Sequence, residues 1–274
     1  MMKLLRTVVL VIFAAVSVIF VEYYLKNVRT EDKTYPIITV DSELIEVRPD
    51  VKDEVLLKGV TAYDEKDGDL TDKIIVESIS KFIEPGVCKI SYAVCDNDNH
   101  VASVTRKIKY KKYRSPRFTL FEPLIFGVGE RVNLSAIVGA TDSIDGDISN
   151  NVIVTSSDYK SGQVGIFHVD MKASNSKGDI VTLRAPMVVE EKVPSAPVIE
   201  LEDNIVYTKL NKKLNLDKYV SEVLNADGNV INNPQIKIKS EIKYNEEGAY
   251  SVYYSCTDSQ GRVGRTLLTV VVES

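Results

Sequence analysis

The chain has 274 residues, enough for one large domain or two to three small ones. Hydrophobic residues at 44% and charged residues at 27% describe a folded protein rather than a disordered one. A net charge of -5 argues against a nucleic-acid partner, which would call for a basic patch to neutralise phosphates.

The first element in chain order is the run from Val8 to Val21, in which only Ser17 is polar. Lys3 and Arg6 precede it, and Tyr23 and Tyr24 follow, aromatic residues suited to a membrane interface. Leu4 and the Tyr-Tyr-Leu end extend the run toward the ~20 residues that span a bilayer. A cleaved signal peptide is the rival reading, but the one small-residue cleavage candidate, Ala15-Val16-Ser17, would cut the run in half. Residues 1–33 are therefore expected to form an anchor or signal segment with a juxtamembrane linker, the uncleaved single-pass anchor being preferred. Basic residues flank both sides, so the charge count leaves orientation open; the likeness to an export signal places the amino terminus inside and the remainder outside the cytoplasm. With no cysteine after the run and no apolar tail or sorting motif at the C-terminus, attachment is expected at the N-terminus alone.

Beyond residue 33 the chain repeats. Pro36, Pro116 and Pro197 open three segments spaced 80 and 81 residues apart. Val60–Val76 (VTAYDEKDGDLTDKIIV) aligns without gaps on Val138–Val154 (VGATDSIDGDISNNVIV), and the third segment keeps a remnant, Asp227-Gly228-Asn229. Later in each repeat a glycine (Gly86, Gly165, Gly248) starts a strand with apolar or aromatic residues at every second position. These are Cys88, Ile90, Tyr92 and Val94; Phe167, Val169, Met171 and Ala173; and Tyr250, Val252, Tyr254 and Cys256. A period of two marks a half-buried strand. Asn-, Asp- and Gly-rich hairpin tips follow, then a closing strand. Pro186 inside a closing strand predicts an edge or a bulge there, because proline donates no ladder hydrogen bond. Residues 34–113, 114–193 and 194–274 are expected to be three β-sandwich domains, the third divergent. The short joints at 111–115 and 191–196, the latter beside Pro194 and Pro197, are expected to limit bending, giving a rod of roughly 100 Å at ~3.3 Å per strand residue. The three cysteines are too few and scattered for a disulfide framework. Cys88 and Cys95, seven apart in one strand, point to opposite faces, and Cys88 and Cys256 are expected in the cores.

The pattern A-x-D-x-x-D-G-D-[LI]-[ST], then a glycine-led strand, then a polar hairpin, resembles the bacterial surface Ig-like domains that occur in tandem on exported proteins. The same type is appended to some pesticidal crystal proteins. The resemblance covers residues 36–192 well and 197–274 more weakly, where Leu224 stands at the place of Asp64 and Asp142. It implies immunoglobulin-like sandwiches on an exported protein and little about function; with the apolar run, the expected architecture is an all-β chain of three tandem immunoglobulin-like sandwiches after an N-terminal transmembrane helix.

The acidic motif is the sharpest local feature. Asp64, Asp67 and Asp69, with Asp142, Asp145 and Asp147, could supply oxygen ligands for calcium. The spacing is not that of an EF-hand loop: with Gly68 at the turn position, Tyr63 falls on a ligand slot that it cannot serve. The plainer reading is that these carboxylates accept neighbouring backbone N–H groups and hold an Asp-Gly turn. Asp96 and Asp98, superficially like a cadherin calcium linker, sit where the other repeats place a hairpin tip. His100 and His168 have no metal partners at suitable spacing, no nucleophile triad or phosphate loop is legible, and no catalytic residue is assigned. No cofactor other than calcium is suggested.

These features point to a non-enzymatic, membrane-anchored surface protein, structural or adhesive, held in the membrane by its N-terminal helix and presenting a surface to a cell-envelope protein or glycan. The alternative is a carbohydrate- or peptide-binding module, with an enzyme accessory protein behind it. Tryptophan is absent, but Tyr113, Tyr159, Tyr207 and Tyr219 fall outside the strongest strand patterns and are expected to be exposed. If the chain binds a ligand, the third domain is its expected place. It has exchanged carboxylates for amides at Asn225, Asn229, Asn232, Asn233 and Gln235, and amides both donate and accept hydrogen bonds.

Overall fold

The computed structural model describes residues 2–30 and 33–274; of the anchor segment, Met1, Glu31 and Asp32 lie outside the described residues. The chain divides into two compact units, one running to Tyr110 and the other holding residues 48–50 and 111–274. The first contains a helix, α1 (Met2–Thr30), and one sandwich. Within α1 the segment Arg6–Lys26, 21 residues with none of them buried, is long and apolar enough to cross a membrane. At ~1.5 Å per residue it covers about 30 Å, the thickness of a hydrocarbon core. A segment of this kind near the N-terminus serves as an anchor or as an export signal.

The first sandwich has seven strands: β1 (Ile37–Val40), β2 (Leu44–Val47), β3 (Val60–Asp64), β4 (Gly68–Asp69), β5 (Ile75–Ile79), β6 (Val87–Cys95) and β7 (Val101–Tyr110). They form two sheets, β1-β3-β4 and β2-β7-β6-β5. The second repeats this as β8 (Arg117–Leu120), β9 (Ile125–Gly127), β10 (Val138–Asp142), β11 (Gly146–Asp147), β12 (Ile153–Ser157), β13 (Gly165–Ser174) and β14 (Ile180–Glu190). Its sheets are β8-β10-β11 and β9-β14-β13-β12. The third has β15 (Val198–Leu201), β16 (Ile205–Lys209), β17 (Val220–Leu224), β18 (Ile236–Ser240), β19 (Gly248–Thr257) and β20 (Val263–Glu273), in sheets β15-β17 and β16-β20-β19-β18.

One topological device recurs in all three. The leading strand pairs antiparallel in the small sheet, and the chain then crosses to lie parallel to the closing strand of the large one, with Leu44 opposite Lys107, Ile125 opposite Val188 and Ile205 opposite Thr269. Each domain is an immunoglobulin-like sandwich of two facing sheets. Their cores come from the period-two strands: eleven of the twelve alternating positions are buried and Tyr250 is half-buried. Cys88 and Cys256 lie in the cores and Cys95 is exposed, and none of the three forms a disulfide. Pro186 corrects one expectation, since β14 is an interior strand by sheet order. Its pairing with β9 begins only at Val188, however, so Pro186 sits where the strand has a neighbour on one side alone.

The core of the first sandwich holds a charged residue. Arg106 occupies the register position that Ala185 and Leu268 fill in the other two, and its side chain has no exposed surface. Its Nε donates to the Tyr92 hydroxyl at 2.9 Å, Nη2 to the carbonyls of Leu56 and Lys58 at 2.8 Å each, and Nη1 to Asp41 at 3.2 Å. A buried guanidinium is tolerable because its donors meet acceptors on several sides.

The second and third sandwiches share a core. Leu267 and Val271, on the outer face of β20, belong to the same buried cluster as Phe118, Leu120 and Phe126, with Tyr207 and Tyr253 packed beside them. Tyr207 donates its hydroxyl to the carbonyl of Phe118 at 3.2 Å, and Asn204 Nδ2 donates to that of Leu120 at the same distance. Arg117 stacks its guanidinium on the Tyr207 ring, 4.7 Å from the centroid, and pairs with Glu273. The third domain thus caps carbonyls of β8, at the edge of its sheet, with side chains and buries the outer face of its own large sheet. Close passage of the joint demands Gly264, where a Cβ would stand 1.7 Å from the Pro197 carbonyl oxygen.

Candidate functional site

The acidic motif folds the same way in both repeats that carry it. Asp64 and Asp142 end β3 and β10 and are buried. Asp64 Oδ1 accepts the backbone N–H groups of Lys66 and Asp67, both at 2.9 Å; Asp142 Oδ1 accepts those of Ile144 at 2.8 Å and Asp145 at 3.0 Å. Asp67 reaches the β6–β7 hairpin and accepts from the N–H of Asn97 at 2.7 Å; Asp145 does the same with Ser176 at 2.5 Å. Asp69 and Asp147 accept from the N–H of Thr71 and Ser149, both at 2.9 Å. The hydroxyls of Thr71 and Ser149, followed by those N–H groups, hold both carboxyls below the usual carboxylate range. Gly68 and Gly146 stand in the left-handed region at φ 76° and 72°, the backbone that the Asp-Gly turn requires. Each carboxylate is thus tied to a backbone donor of its own turn or of the facing hairpin. Among the described residues, no group of three or more His, Cys, Asp or Glu side chains is arranged to hold a metal ion.

The facing hairpin, whose tips the sequence places at Asp96, Asn175 and Asp258, has its own repeated bond. Asp96, Asn175 and Asp258 each stand ten residues after the strand-opening glycine. Their Oδ1 atoms accept backbone N–H groups two and four residues on, at 2.9 and 2.7 Å, 3.0 and 2.9 Å, and 2.9 and 2.9 Å. Burial pushes the Asp96 carboxyl up, but the N–H and ring of His100, with the N–H of Asp98, outweigh it and hold the group below its usual range. Asp258 behaves alike through Arg262.

Turn, hairpin tip and entering linker meet at one pole of the first two sandwiches, where a tyrosine of the linker lies against the hairpin, Tyr35 largely exposed and Tyr113 half-buried. Tyr35 lies on the His100 ring with centroids 4.6 Å apart. Tyr113 donates its hydroxyl to Asp179 Oδ2 at 2.6 Å and accepts from Asn175 Nδ2 at 2.9 Å; burial first, then Asp179, push its phenol far above the ordinary tyrosine range. Asn175 also donates to Asp142 Oδ2 at 3.2 Å, linking motif, hairpin and linker.

In the third domain a wider turn stands in its place, between the bridged residues Leu224 and Val230. Asn225, one residue past Leu224, accepts the N–H groups of Asp227 at 3.0 Å and Asn229 at 2.9 Å. Of the five amide residues singled out in the sequence, Asn225, Asn233 and Gln235 line one cavity of about 430 Å³ with Asp258 and Arg262. Asn229 and Asn232 lie outside that lining.

The tyrosines expected to be exposed are not. Tyr219 is buried and Tyr113, Tyr159 and Tyr207 are half-buried, because their rings fill the margins of the sandwiches. Tyr159 packs edge-on against Phe126 and Phe167 and donates to the Glu130 carbonyl at 2.9 Å, and Tyr207 is held at the shared core.

Residues 54–109, most of the first sandwich, match the family described as bacterial surface protein, Ig-like domain. The chain resembles bacterial surface Ig-like domains. A pesticidal crystal protein of Bacillus thuringiensis, Cry22Aa, is 27% identical over 235 residues, covering 78% of this chain and 30% of that protein. An uncharacterized 81.3 kDa protein of Acholeplasma phage L2 is 31% identical over 137 residues, covering 48% of this chain and 18% of that protein. The Ig-like chain therefore spans less than a third of the length of either relative. Solved structures similar to it include the M60 catalytic domain with two CBM51 domains from Clostridium perfringens ZmpB. That match is at 16% identity, covers 88% of this chain and 31% of that one, and has a TM-score of 0.23. Another is the protocadherin gammaB4 extracellular domain, at 11% identity, with 88% and 51% covered and a TM-score of 0.21.

Proposed function

We propose that this chain is a non-enzymatic, membrane-anchored surface protein whose Ig-like domains stand outside the cytoplasm and present a binding surface on the third. Its partner is a cell-envelope protein or glycan. The observation that carries the proposal is where the polar side chains go. In the first two domains the conspicuous carboxylates are committed to backbone N–H groups, which makes them parts of the scaffold. In the third, amides and an arginine line an accessible cavity. The apolar segment Arg6–Lys26 and the family match to residues 54–109 support placement at the surface. The same cavity supports the second reading, a peptide- or carbohydrate-binding module, through its mixed donors and acceptors.

The test is retention of the purified full-length chain, in detergent micelles, on envelope fractions and a glycan panel. The expected result is retention that an Asn233→Ala/Gln235→Ala double variant reduces at least tenfold. Equal retention of both forms, or none of the wild type, contradicts the reading of the third domain.

A further inference from the structure

His100, Asp179 and Arg262 are structural equivalents. Each stands four residues after the hairpin residue Asp96, Asn175 or Asp258, and each gives that residue's Oδ1 its own backbone N–H, at 2.7, 2.9 and 2.9 Å. In the first two domains this position receives a linker tyrosine: the Tyr35 ring on His100, and the Tyr113 hydroxyl on Asp179. The repeat spacing puts Pro194 at the place of Tyr113 and Ala196 at the place of Tyr35. The linker into the third domain also folds back on itself. Ala196 donates its N–H to the Val193 carbonyl at 3.2 Å, and Ser195 sits at φ 57°. No linker tyrosine therefore reaches the third pole, where the cavity of about 430 Å³ opens beside Arg262. That volume falls within the ~300–1,000 Å³ of ligand pockets.

We propose that this cavity receives a tyrosine side chain from a partner polypeptide, which packs on the third pole in trans as Tyr35 and Tyr113 pack on the first two in cis. The chemistry matches the occupant. Arg262 has its Nε on Asp258 at 2.7 Å and its side chain is partly exposed, so the guanidinium is fixed where an aromatic face can stack on it. The amides of Asn233 and Gln235 offer both donors and acceptors to a phenol hydroxyl. The proposal rests on the reading of the third domain as the binding end and names what that end recognises.

The probe is a fluorescent peptide carrying the chain's own linker, Lys111–Ser115 with Tyr113 at its centre, and a control with alanine in place of the tyrosine. Anisotropy is read against the full-length chain in detergent micelles. The tyrosine peptide should bind and the alanine peptide should bind at least tenfold more weakly. Ala226→Trp, which fills the cavity from an exposed turn position, should abolish the difference, and Arg262→Gln should reduce it; melting curves confirm that each variant is folded. Equal binding of the two peptides, or a tyrosine preference untouched by Ala226→Trp, overturns the proposal. So does glycan binding that Ala226→Trp blocks while the peptide fails to bind, because the cavity is then a sugar site. Envelope retention lost in the Asn233→Ala/Gln235→Ala variant without any peptide binding sinks this inference but spares the third domain as the binding end. Peptide binding without envelope retention keeps this inference and the third domain as the binding end, and sinks the cell-envelope partner.

Discussion

Asp64 Oδ1 lies 2.9 Å from the backbone nitrogen of Asp67, and the same atom takes the N–H of Lys66 at the same distance, so one buried carboxylate oxygen closes the turn between β3 and β4. Asp142 repeats the arrangement. Replacing either residue by alanine leaves two part-buried backbone donors without that acceptor and should destabilise its domain by about 1–2 kcal/mol. Asparagine, which keeps a side-chain oxygen to accept those N–H groups, should cost less. Chemical denaturation of Asp64→Ala and Asp64→Asn, with and without millimolar calcium, checks both points. The order Ala below Asn below wild type should appear with little change on adding calcium; a calcium-dependent rise that Asp64→Ala abolishes would favour a metal site.

Asp69, Asp147, Asp96 and Asp258 all have carboxyl pKa values held down in the folded state. The unfolded chain therefore takes up protons more readily than the folded one. The stabilisation is complete above the ordinary aspartate value of ~3.9 and is lost as pH falls through the depressed values. Melting temperatures should be flat from pH 7 to about 5 and drop steeply below about 4. Asp69→Asn combined with Asp147→Asn should shallow that drop by lowering the melting temperature at neutral pH while leaving it little changed below about pH 3.

Joining the second and third sandwiches through Leu267, Val271 and Tyr207 should make residues 111–274 unfold as one cooperative unit. Leu267→Ala removes a fully buried side chain and should cost ~2–5 kcal/mol, splitting the calorimetric transition of that unit into two. Tyr207→Phe, which loses only the bond to Phe118, should cost ~1 kcal/mol and leave one transition.

Arg106→Ala strips Leu56, Lys58 and Asp41 of a donor inside the first sandwich and should destabilise it by ~3–5 kcal/mol. Ala185→Val, at the equivalent place in the second sandwich, adds volume to a packed core without touching a polar network and should cost ~1–3 kcal/mol. Urea denaturation of the full chain separates the two.

The strands and their faces were legible because the period of two in Gly86–Val94, Gly165–Ala173 and Gly248–Cys256 reports burial directly. The turn role of the aspartates was legible from the Asp-Gly dipeptide. The shared core was not: Leu267 and Val271 alternate with core residues of their own strand, and no local pattern says that the opposite face is also covered. Tyr207 misled for the same reason, since its burial depends on Phe118, 89 residues earlier. Arg106 was hidden because a charged residue at an inward register reads as a surface position until Tyr92 and the Leu56 and Lys58 carbonyls are brought around it.

Display outside the cytoplasm is the claim on which the functional account depends, and Cys95 tests it. Cys95 is exposed on the first sandwich while Cys88 and Cys256 are buried, so a membrane-impermeant maleimide reports on one thiol. Intact cells expressing the full chain should label at Cys95 as fully before lysis as after it, and the Cys95→Ser variant should not label in either case. Labelling of the wild type that appears only after lysis would place the Ig-like domains inside the cell and contradict the account.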